Sequence, residues 1–322
     1  MSDSGIDSYR SYSDEINISE LFDVIWDNKL FLSIWTSLFA LIALIYSFTL
    51  TNIYTAESLL APSTSGNTSS SLISQYAGIA SMAGITLPQS STGMSEKDLA
   101  LSLLKSKGLL QRLIEKYDIL PDLIAAKNWN ANTKLISYDL KLYDINKNAW
   151  IREVKPPYKQ IPSLQEAFFF FNEAISVSED NKTGTISLKV EHLSPEIAYK
   201  WSLAIIQEVN EYVADMRINE AQLSIEYLNE QIRITPYPEL RAMFYELIQQ
   251  HTQSMLLAKV RPEYALTTID PPLIPEKKSA PSRASIISLL TFLGGILGAA
   301  IILIRHYIYN HKDPIHLNLR NT

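Results

Sequence analysis

Two stretches of the sequence contain no charged residue, LFLSIWTSLFALIALIYSFTLTNIYTA at residues 30–56 and ASIISLLTFLGGILGAAIILI at residues 284–304. An α-helix rises about 1.5 Å per residue, so about 20 apolar residues cross the roughly 30 Å hydrocarbon core of a bilayer. Each stretch is long enough to do so. The sequence therefore predicts two transmembrane helices with a large domain between them.

Each stretch has an alternative interpretation. A cleaved signal peptide would explain the first stretch, but 29 residues precede it and its apolar run is longer than that of a signal sequence. A buried core helix would explain the second, but Arg283 and Arg305 flank it like interfacial anchors. Membrane-spanning helices therefore explain both stretches better.

Basic residues indicate the orientation of the spans, because Lys and Arg are enriched on the cytoplasmic side. Arg10 and Lys29 precede the first span, whereas residues 51–96 contain no Lys or Arg. We therefore expect the N-terminus in the cytoplasm, and two spans return the C-terminus to the same side. The expected organisation is a cytoplasmic segment with a short interfacial helix (1–29), a first span (30–52), an external domain (53–283), a second span (284–304) and a cytoplasmic tail (305–322).

The external domain has the patterns of a mixed α+β fold. Alternating apolar and polar residues predict strands at Tyr54–Pro62 and 265–269, and a β-hairpin from strands at 175–179 and 185–191. Apolar residues at helical spacing predict three helices, at residues 98–117, 194–233 and 239–259. The order of these elements predicts an α+β membrane protein, with a mixed α/β base near the bilayer and long helices projecting away from it.

The segment from 63 to 95 has a different composition. It is rich in Ser, Thr, Gly and Ala and carries no charge. Two interpretations remain open, a flexible loop and a segment that becomes ordered only within an assembly.

The helix at residues 194–233 is expected to start at Ser194 as N-cap and Pro195 as first residue. At 1.5 Å per residue it would be about 60 Å long. A small base could not cover one whole face of such a helix, so we expect neighbouring copies of the chain to cover it. The apolar residues of this expected oligomer face are Trp201, Ile205, Val209, Tyr212 and Met216.

Sequence motifs for catalysis are absent. The chain has no Gly-rich phosphate loop, no cysteine, and no H-x-x-x-H pair among its five His residues. The carboxylates of the long helix are expected on a solvated face; they include Glu208, Glu211, Asp215 and Glu220. The net charge of −6 comes with no basic face for nucleic acid. We therefore expect a protein that is not an enzyme, with no cofactor, no metal, no disulfide and no nucleic-acid partner.

Small residues form one face of the second span. Gly294 and Gly298 stand four residues apart, and Gly295 and Ala299 repeat this spacing one residue on. Such a face lets two helix backbones approach closely in lipid. Glycine is also common in membrane helices generally, which is the alternative explanation. We expect this face to associate membrane helices within an assembly.

Two stretches near the C-terminus carry a family resemblance. YALTTIDPPLIPEKKSAP at residues 264–281, followed by Arg283 and the Gly-rich span, resembles the C-terminal signature of the chain-length determinant family, the Wzz-type polysaccharide co-polymerases. ELRAMFYELIQQHTQSMLLA at residues 239–258 is similar to the helix before this signature. Residues 18–29, the first span and Tyr54–Pro62 resemble the N-terminal part of the family, whereas residues 63–159 match it only loosely. The signature and span-packing residues are Pro271, Pro272, Pro275, Pro281, Arg283, Gly294, Gly295 and Gly298.

The resemblance implies a bacterial inner-membrane protein with residues 53–283 in the periplasm. Such proteins form ring-like homo-oligomers and set how many repeat units a Wzy-type polymerase adds to a lipid-linked glycan. The implied partners are other copies of the chain, the polymerase, the glycan and the lipid bilayer. Many relatives carry a tyrosine kinase after the second span, but residues 305–322 contain no nucleotide loop. This difference favours the kinase-less class, which is typical of O-antigen length control in lipopolysaccharide biosynthesis.

Three functions are alternatives to the control of O-antigen length. A capsule or exopolysaccharide export co-polymerase would work with a kinase on a separate chain, and neighbouring genes would distinguish it. A membrane sensor with a periplasmic ligand domain would need a signalling domain after the second span, for which residues 305–322 leave no room. A membrane glycan enzyme would transfer or hydrolyse lipid-linked sugar, and we expect neither activity.

Overall fold

The computed structural model describes residues 18–63 and 96–310. The chain divides into two compact units: a helical unit within residues 1–51 and 281–322, and an α+β unit at residues 52–280. The segment predicted as a loop or assembly-ordered segment, residues 63–95, lies outside the described residues apart from Ser63. Most of the predicted tail, from 311 onward, also lies outside them.

The described helices and strands are interspersed along the chain. The helices are α1 (Ile18–Asp27), α2 (Lys29–Thr49), α3 (Glu96–Leu104), α4 (Lys107–Tyr117), α5 (Leu120–Ile124), α6 (Leu164–Ala174), α7 (Pro195–Ile234), α8 (Pro238–Val260) and α9 (Arg283–Asn310). The strands are β1 (Tyr54–Pro62), β2 (Ala126–Trp129), β3 (Ile136–Tyr138), β4 (Tyr143–Asp144), β5 (Ala149–Trp150), β6 (Ile175–Glu179), β7 (Ile186–His192) and β8 (Leu266–Asp270). The mixed α+β content is therefore confirmed, while the position of the sheet relative to a bilayer stays a prediction.

The helical unit contains α1, α2 and α9. Helices α2 and α9 cover the two predicted spans, with mean hydropathies of 2.0 and 2.5 over their most apolar windows. Only 11% and 17% of those windows are buried inside the structure, whereas a core helix of a soluble protein is mostly buried. Both helices are therefore candidate membrane spans. Helix α1 occupies the stretch predicted as an interfacial helix.

The main sheet of the α+β unit has four antiparallel strands in the order β6-β7-β1-β8. Strand β1 lies inside the sheet: it pairs with β7 from Tyr54↔His192 to Leu60↔Ile186, and with β8 on its other side. Strands β6 and β8 are the two edges. The predicted strands, including the hairpin of β6 and β7, are confirmed. Two further strand pairs, β2 with β3 and β4 with β5, lie in a region where no element was predicted.

One face of the sheet is buried by helices. Residues Ile186, Leu188 and Val190 alternate along β7 and are fully buried, as expected when one face of a strand packs on a core. The first half of α7 and helices α3, α4 and α6 supply the other side of this hydrophobic core. The core thus lies between the sheet and the helices of the same chain.

The prediction of one continuous helix at residues 98–117 is wrong. The chain forms two helices, α3 and α4, because the Ser106 side chain accepts a hydrogen bond from Leu109 N–H and so begins a new helix. Asp118 ends α4 in the left-handed conformation, at φ 49°. Pro121 lies in the first turn of the next helix, α5.

Helix α7 has 40 residues and confirms the predicted long helix. Ser194 takes the N-cap position, but its side chain makes no capping hydrogen bond. The first half of α7 packs on the sheet, and its last part packs against α8 around a second cluster. This cluster consists of Leu228, Leu240, Met243, Phe244 and Leu247. Much of the helix therefore has a partner within its own chain, which corrects the expectation that only a neighbouring copy could cover it.

Candidate functional site

The two chain ends of the α+β unit are tied together. Ile53 forms an isolated antiparallel bridge with Ala280, and its N–H donates to Ala280 O at 2.9 Å. Ser279 N–H donates back to Ile53 O at 2.8 Å, and Ser279 Oγ accepts from Thr55 N–H at 3.1 Å. Three signature prolines lie between β8 and this bridge: Pro271, Pro272 and Pro275. The proline segment therefore connects the edge strand β8 to the bridge at Ala280, where the chain leaves the α+β unit.

The glycine face of α9 packs against α2 of the same chain. A Cβ atom at Gly294 would lie 2.5 Å from Cβ of Phe39, and one at Gly298 would lie 2.9 Å from Cδ1 of Trp35. Only glycine fits these distances without a shift of neighbouring atoms of α2. The close approach of two helices thus occurs between the two spans of one chain, whereas we expected it within an assembly.

The glycine face predicts a difference between two neighbouring residues. A Cβ at Gly295 would lie 3.4 Å from Cγ2 of Thr36, which is an ordinary contact. We expect Gly294→Ala to destabilise the span pair by about 1–3 kcal/mol through overpacking, and Gly295→Ala to leave it nearly unchanged. Thermal melting of the full chain in detergent measures both variants. Equal shifts for the two variants would show that the helices are not in close contact at Gly294.

Arg283 is the first residue of α9 and follows Pro281 by two residues. Its guanidinium carbon is 5.4 Å from the centre of the Phe48 ring, near the end of α2. A guanidinium above an aromatic face is held by the ring quadrupole. This contact joins the C-terminal end of α2 to the N-terminal end of α9. Arg283, the predicted interfacial anchor, therefore has a partner within the helical unit.

The predicted oligomer face on α7 divides into two parts. Trp201, Ile205 and Val209 are buried in the core of the single chain, and Tyr212 is partly covered because the Arg112 guanidinium lies 4.6 Å above its ring. Met216 is exposed. Only the later part of this face, from Met216 onward, is available to a second copy, because the sheet already covers the first part.

A buried amide joins α7 to the edge strand β8. Asn210 Oδ1 accepts hydrogen bonds from Ala265 N–H and Leu266 N–H, both at 2.8 Å. Its Nδ2 donates to Leu266 O at 3.0 Å and to Ile206 O at 3.1 Å. Every hydrogen-bonding group of this buried side chain is therefore used. The amide fixes the start of β8, which leads into the proline segment.

Glu208 is not on a solvated face, which corrects the prediction for this carboxylate. It is almost fully buried and accepts hydrogen bonds from Lys116 Nζ at 2.5 Å and Tyr117 OH at 3.1 Å. Hydrogen bonds to Glu208 and then to Glu211 raise the pKa of Lys116, so its ammonium stays charged. Both donors come from α4, about ninety residues earlier in the chain. The network is a set of ion pairs between α4 and α7.

His192 joins three elements at the end of β7. Its Nδ1 accepts a hydrogen bond from Ser194 N–H at 3.0 Å, and its Nε2 lies 3.1 Å from Asp122 O at α5. The imidazole also packs on Trp201, with 5.0 Å between ring centres. Since Nδ1 accepts, Nε2 carries the proton and the ring is neutral. Burial lowers the pKa of His192 from its ordinary value of 6.5, although the nearby Asp122 opposes this effect.

Because the pKa of the buried His192 is lowered, we expect acid to destabilise the α+β unit. In the unfolded chain His192 binds a proton below about pH 6.5, whereas in the folded chain burial keeps the imidazole neutral to lower pH. The free energy of unfolding is therefore highest above that pH and decreases as the pH falls. We expect the melting temperature to fall between pH 7.5 and 5.5, and His192→Asn to flatten this fall, because Asn can accept from Ser194 N–H without titrating. His251 also has a pKa lowered by burial, so the comparison of the two proteins isolates His192. Parallel pH curves would contradict the prediction.

Within the described residues, no group of three or more His, Asp or Glu side chains could hold a metal ion. Asn210 and His192, which the sequence did not single out, fix helices and strands to one another, and so does Glu208, which was predicted on a solvated face. The arrangement holds a sheet, a long helix and a bridged pair of chain ends in fixed positions.

Comparison with known proteins gives one family match. The family described as "Chain length determinant protein" (Wzz) matches residues 14–117 of this chain. The match confirms the resemblance over α1, α2 and β1. It also extends to the end of α4, through residues whose resemblance to the family was only loose. The proline-rich signature at residues 264–281 lies outside the matched stretch, so that part of the resemblance stays a prediction.

Two solved structures are similar to the chain at low identity. One is described as a "full-length bacterial polysaccharide co-polymerase"; at 15% identity it covers 92% of this chain and 100% of its own, with a TM-score of 0.39. The other is a fragment of WzzB, a polysaccharide co-polymerase from Salmonella Typhimurium; at 13% identity it covers 71% of this chain and 100% of its own, with a TM-score of 0.30. No curated protein matches the chain.

Proposed function

We propose that this protein regulates the chain length of a surface polysaccharide of the O-antigen type. The observation that carries the proposal is the chain-length determinant match at residues 14–117. That stretch contains the first candidate span and β1, an inner strand of the main sheet. The proposal thus rests on the part of the chain that includes both a membrane helix and the centre of the sheet.

The proposed location is the bacterial inner membrane, with both termini in the cytoplasm and residues 53–283 in the periplasm. Two apolar helices support it, since each has the length and composition of a membrane span. The bridge between Ile53 and Ala280 supports it as well, because it brings together the two chain ends that lead into the spans. A domain inserted between two neighbouring spans needs such paired ends.

The proposed mechanism is non-catalytic. Copies of the chain associate side by side in the membrane and present a repeated surface to a Wzy-type polymerase and to the lipid-linked glycan. The buried contacts of Asn210, Glu208 and His192 support this role, because a scaffold needs its surfaces held in one geometry. The polymerase performs the transfer, and the oligomer determines when transfer to one glycan stops.

Deletion of the gene tests the proposal. We expect the surface polysaccharide of the deletion strain, separated on a gel, to lose its preferred length, and the wild-type gene to restore it. An unchanged ladder would overturn the proposal. A normal ladder together with reduced capsule or exopolysaccharide would instead support the export function, and purified protein should neither transfer nor hydrolyse lipid-linked sugar.

A further inference from the structure

An open groove lies along the second half of α7. Its volume is about 700 Å³, within the range of about 300–1,000 Å³ that is usual for ligand sites. Its apolar lining consists of Ile225 and Ile232 of α7 and Met255 of α8, all of which are partly buried. We name this surface the α7 groove. It has the size and the partly apolar lining of a ligand site, in the half of α7 that packs against α8.

Polar side chains form a stripe along the α7 groove. The stripe consists of Gln222, Glu226, Asn229 and Arg233. These residues are spaced by four, three and four positions, so they share one face of the helix. At 1.5 Å per residue the stripe is about 16 Å long, and its amide, carboxylate and guanidinium groups supply both donors and acceptors along that length. Such a surface fits an elongated ligand that is rich in hydroxyl groups.

Most of this stripe makes no contact that holds the fold. The side chains of Gln222, Glu226 and Asn229 form no hydrogen bond or ion pair within the part of the chain that the structure describes. Arg233 pairs at 3.1 Å with Glu230, which also lines the groove. Both side chains of this pair are exposed, and exposed ion pairs contribute little to stability. The stripe can therefore form hydrogen bonds to a ligand without a loss of stability in the domain.

The charge of the lining restricts the chemistry of the ligand. Glu226 and Glu230 are negative and Arg233 is positive, so the carboxylates outnumber the cation. Because like charges repel, a phosphate or an acidic sugar is disfavoured beside Glu226. Neutral hydroxyl groups can donate to the carboxylates and accept from the amides, and the apolar lining can contact the C–H faces of sugar rings. The lining therefore matches a neutral oligosaccharide.

A second copy of the chain fits a different face of α7. Leu223 and Tyr227, two large side chains of this half of the helix, are 67% and 61% exposed. At 3.6 residues per turn they lie about 100° and about 140° around the helix axis from Gln222. The exposed apolar face and the polar stripe are thus separate surfaces, and a neighbouring copy can pack on the first while the second stays open to a ligand.

We propose that the α7 groove binds a neutral stretch of the glycan whose length the protein regulates. This inference rests on the proposed function and deepens it by naming the surface that contacts the glycan and the class of sugar that it accepts. Each hydrogen bond replaces one to water and so contributes little, which makes the binding weak and distributed over the stripe. Weak contacts allow the glycan to be released and extended between binding events.

Saturation-transfer NMR on the full-length protein in detergent tests the binding. The probe is a set of short fragments that mild acid releases from the organism's own surface polysaccharide. We expect saturation transfer to these fragments. The double variant Gln222→Ala with Asn229→Ala should raise their dissociation constant about tenfold, because two hydrogen-bonding side chains are lost. The matched control is Gln207→Ala with Gln253→Ala, two exposed amides outside the groove. Equal effects of the two double variants, or no transfer to the fragments, would overturn the proposal.

The charge of the groove gives a second test, with acidic fragments of polygalacturonate as the probe. We expect no saturation transfer to them from the wild-type protein, because Glu226 repels their carboxylates. Glu226→Lys reverses this charge and should allow the acidic fragments to bind. Binding of polygalacturonate to the wild-type protein would overturn the assignment of a neutral ligand.

A neighbouring copy is the competing occupant of the groove. Asn229→Cys supplies a unique thiol, because the chain contains no native cysteine. In native membranes with the outer membrane made permeable, we expect a bulky water-soluble maleimide to label this thiol as fully before denaturation as after it. Labelling only after denaturation would show that another chain covers the groove, and would overturn the proposal.

The proposed function is measured separately, on the gel of surface polysaccharide. We expect the double variant Gln222→Ala with Asn229→Ala to shift the preferred glycan length at an unchanged amount of protein in the membrane. Fragments that bind to a protein whose deletion leaves the polysaccharide unchanged would overturn the function but support the site. A deletion that abolishes the preferred length, together with fragments that do not bind, would support the function and overturn the site.

Discussion

Replacing Trp201 with alanine is expected to lower the stability of the α+β unit by about 3–5 kcal/mol, the usual effect of truncating a buried tryptophan. The side chain is 6% exposed and lies in the main hydrophobic core. Its ring also packs on His192, so its loss leaves a cavity beside a buried polar group. Thermal melting of the full chain in detergent, followed by circular dichroism, measures the effect.

The matched control for Trp201 is Leu223→Ala on the same helix. Leu223 is an exposed apolar residue of α7, so its truncation should change the melting temperature little. Similar small shifts for both variants would show that α7 does not pack on the sheet at Trp201. Similar large shifts would show that the face around Leu223 is also covered.

Replacing Asn210 with leucine is expected to release β8 from α7. Leucine keeps the approximate shape but leaves Ala265 N–H and Leu266 N–H without acceptors in a buried position. Each unsatisfied buried group costs about 1–3 kcal/mol, so the total loss should be about 2–6 kcal/mol. Hydrogen–deuterium exchange should show faster exchange first at the amides of β8.

Gln207→Leu serves as the control for Asn210. Gln207 lies three residues earlier on the same helix, is exposed, and bonds only within the helix, to Glu211. We expect no change in exchange at β8 for this variant. If β8 of Asn210→Leu exchanged at the wild-type rate, the strand would be held by its pairing with β1 alone.

The sequence predicted those elements whose signal is local and repeated. Strands β1, β6 and β7 have alternating patterns over five or more residues, and α7 keeps its apolar stripe over many turns. By contrast, β4 and β5 contain two residues each, which is too short for any periodicity. The break between α3 and α4 depends on one serine side chain, and serine also occurs inside helices.

The contacts that fix the helices to the sheet were harder to predict. Glu208 looks like other helix carboxylates in sequence, because its partner Lys116 lies on a different helix far along the chain. A polar residue at 210 among Ile206, Val209 and Val213 is a signal that could have indicated a buried amide. The glycine spacing indicated a face for close helix contact, but spacing alone cannot distinguish α2 of the same chain from a helix of another copy.

The unbroken course of α7 has a mechanical consequence. The helix passes through both hydrophobic clusters without a kink residue, and its 40 residues correspond to about 60 Å. Because the N-terminal half of α7 is fixed on the sheet, a rotation of the helix axis by a few degrees there displaces its C-terminal end by several ångströms. Small changes in how α7 packs on the sheet would thus be magnified at the far end of the helix.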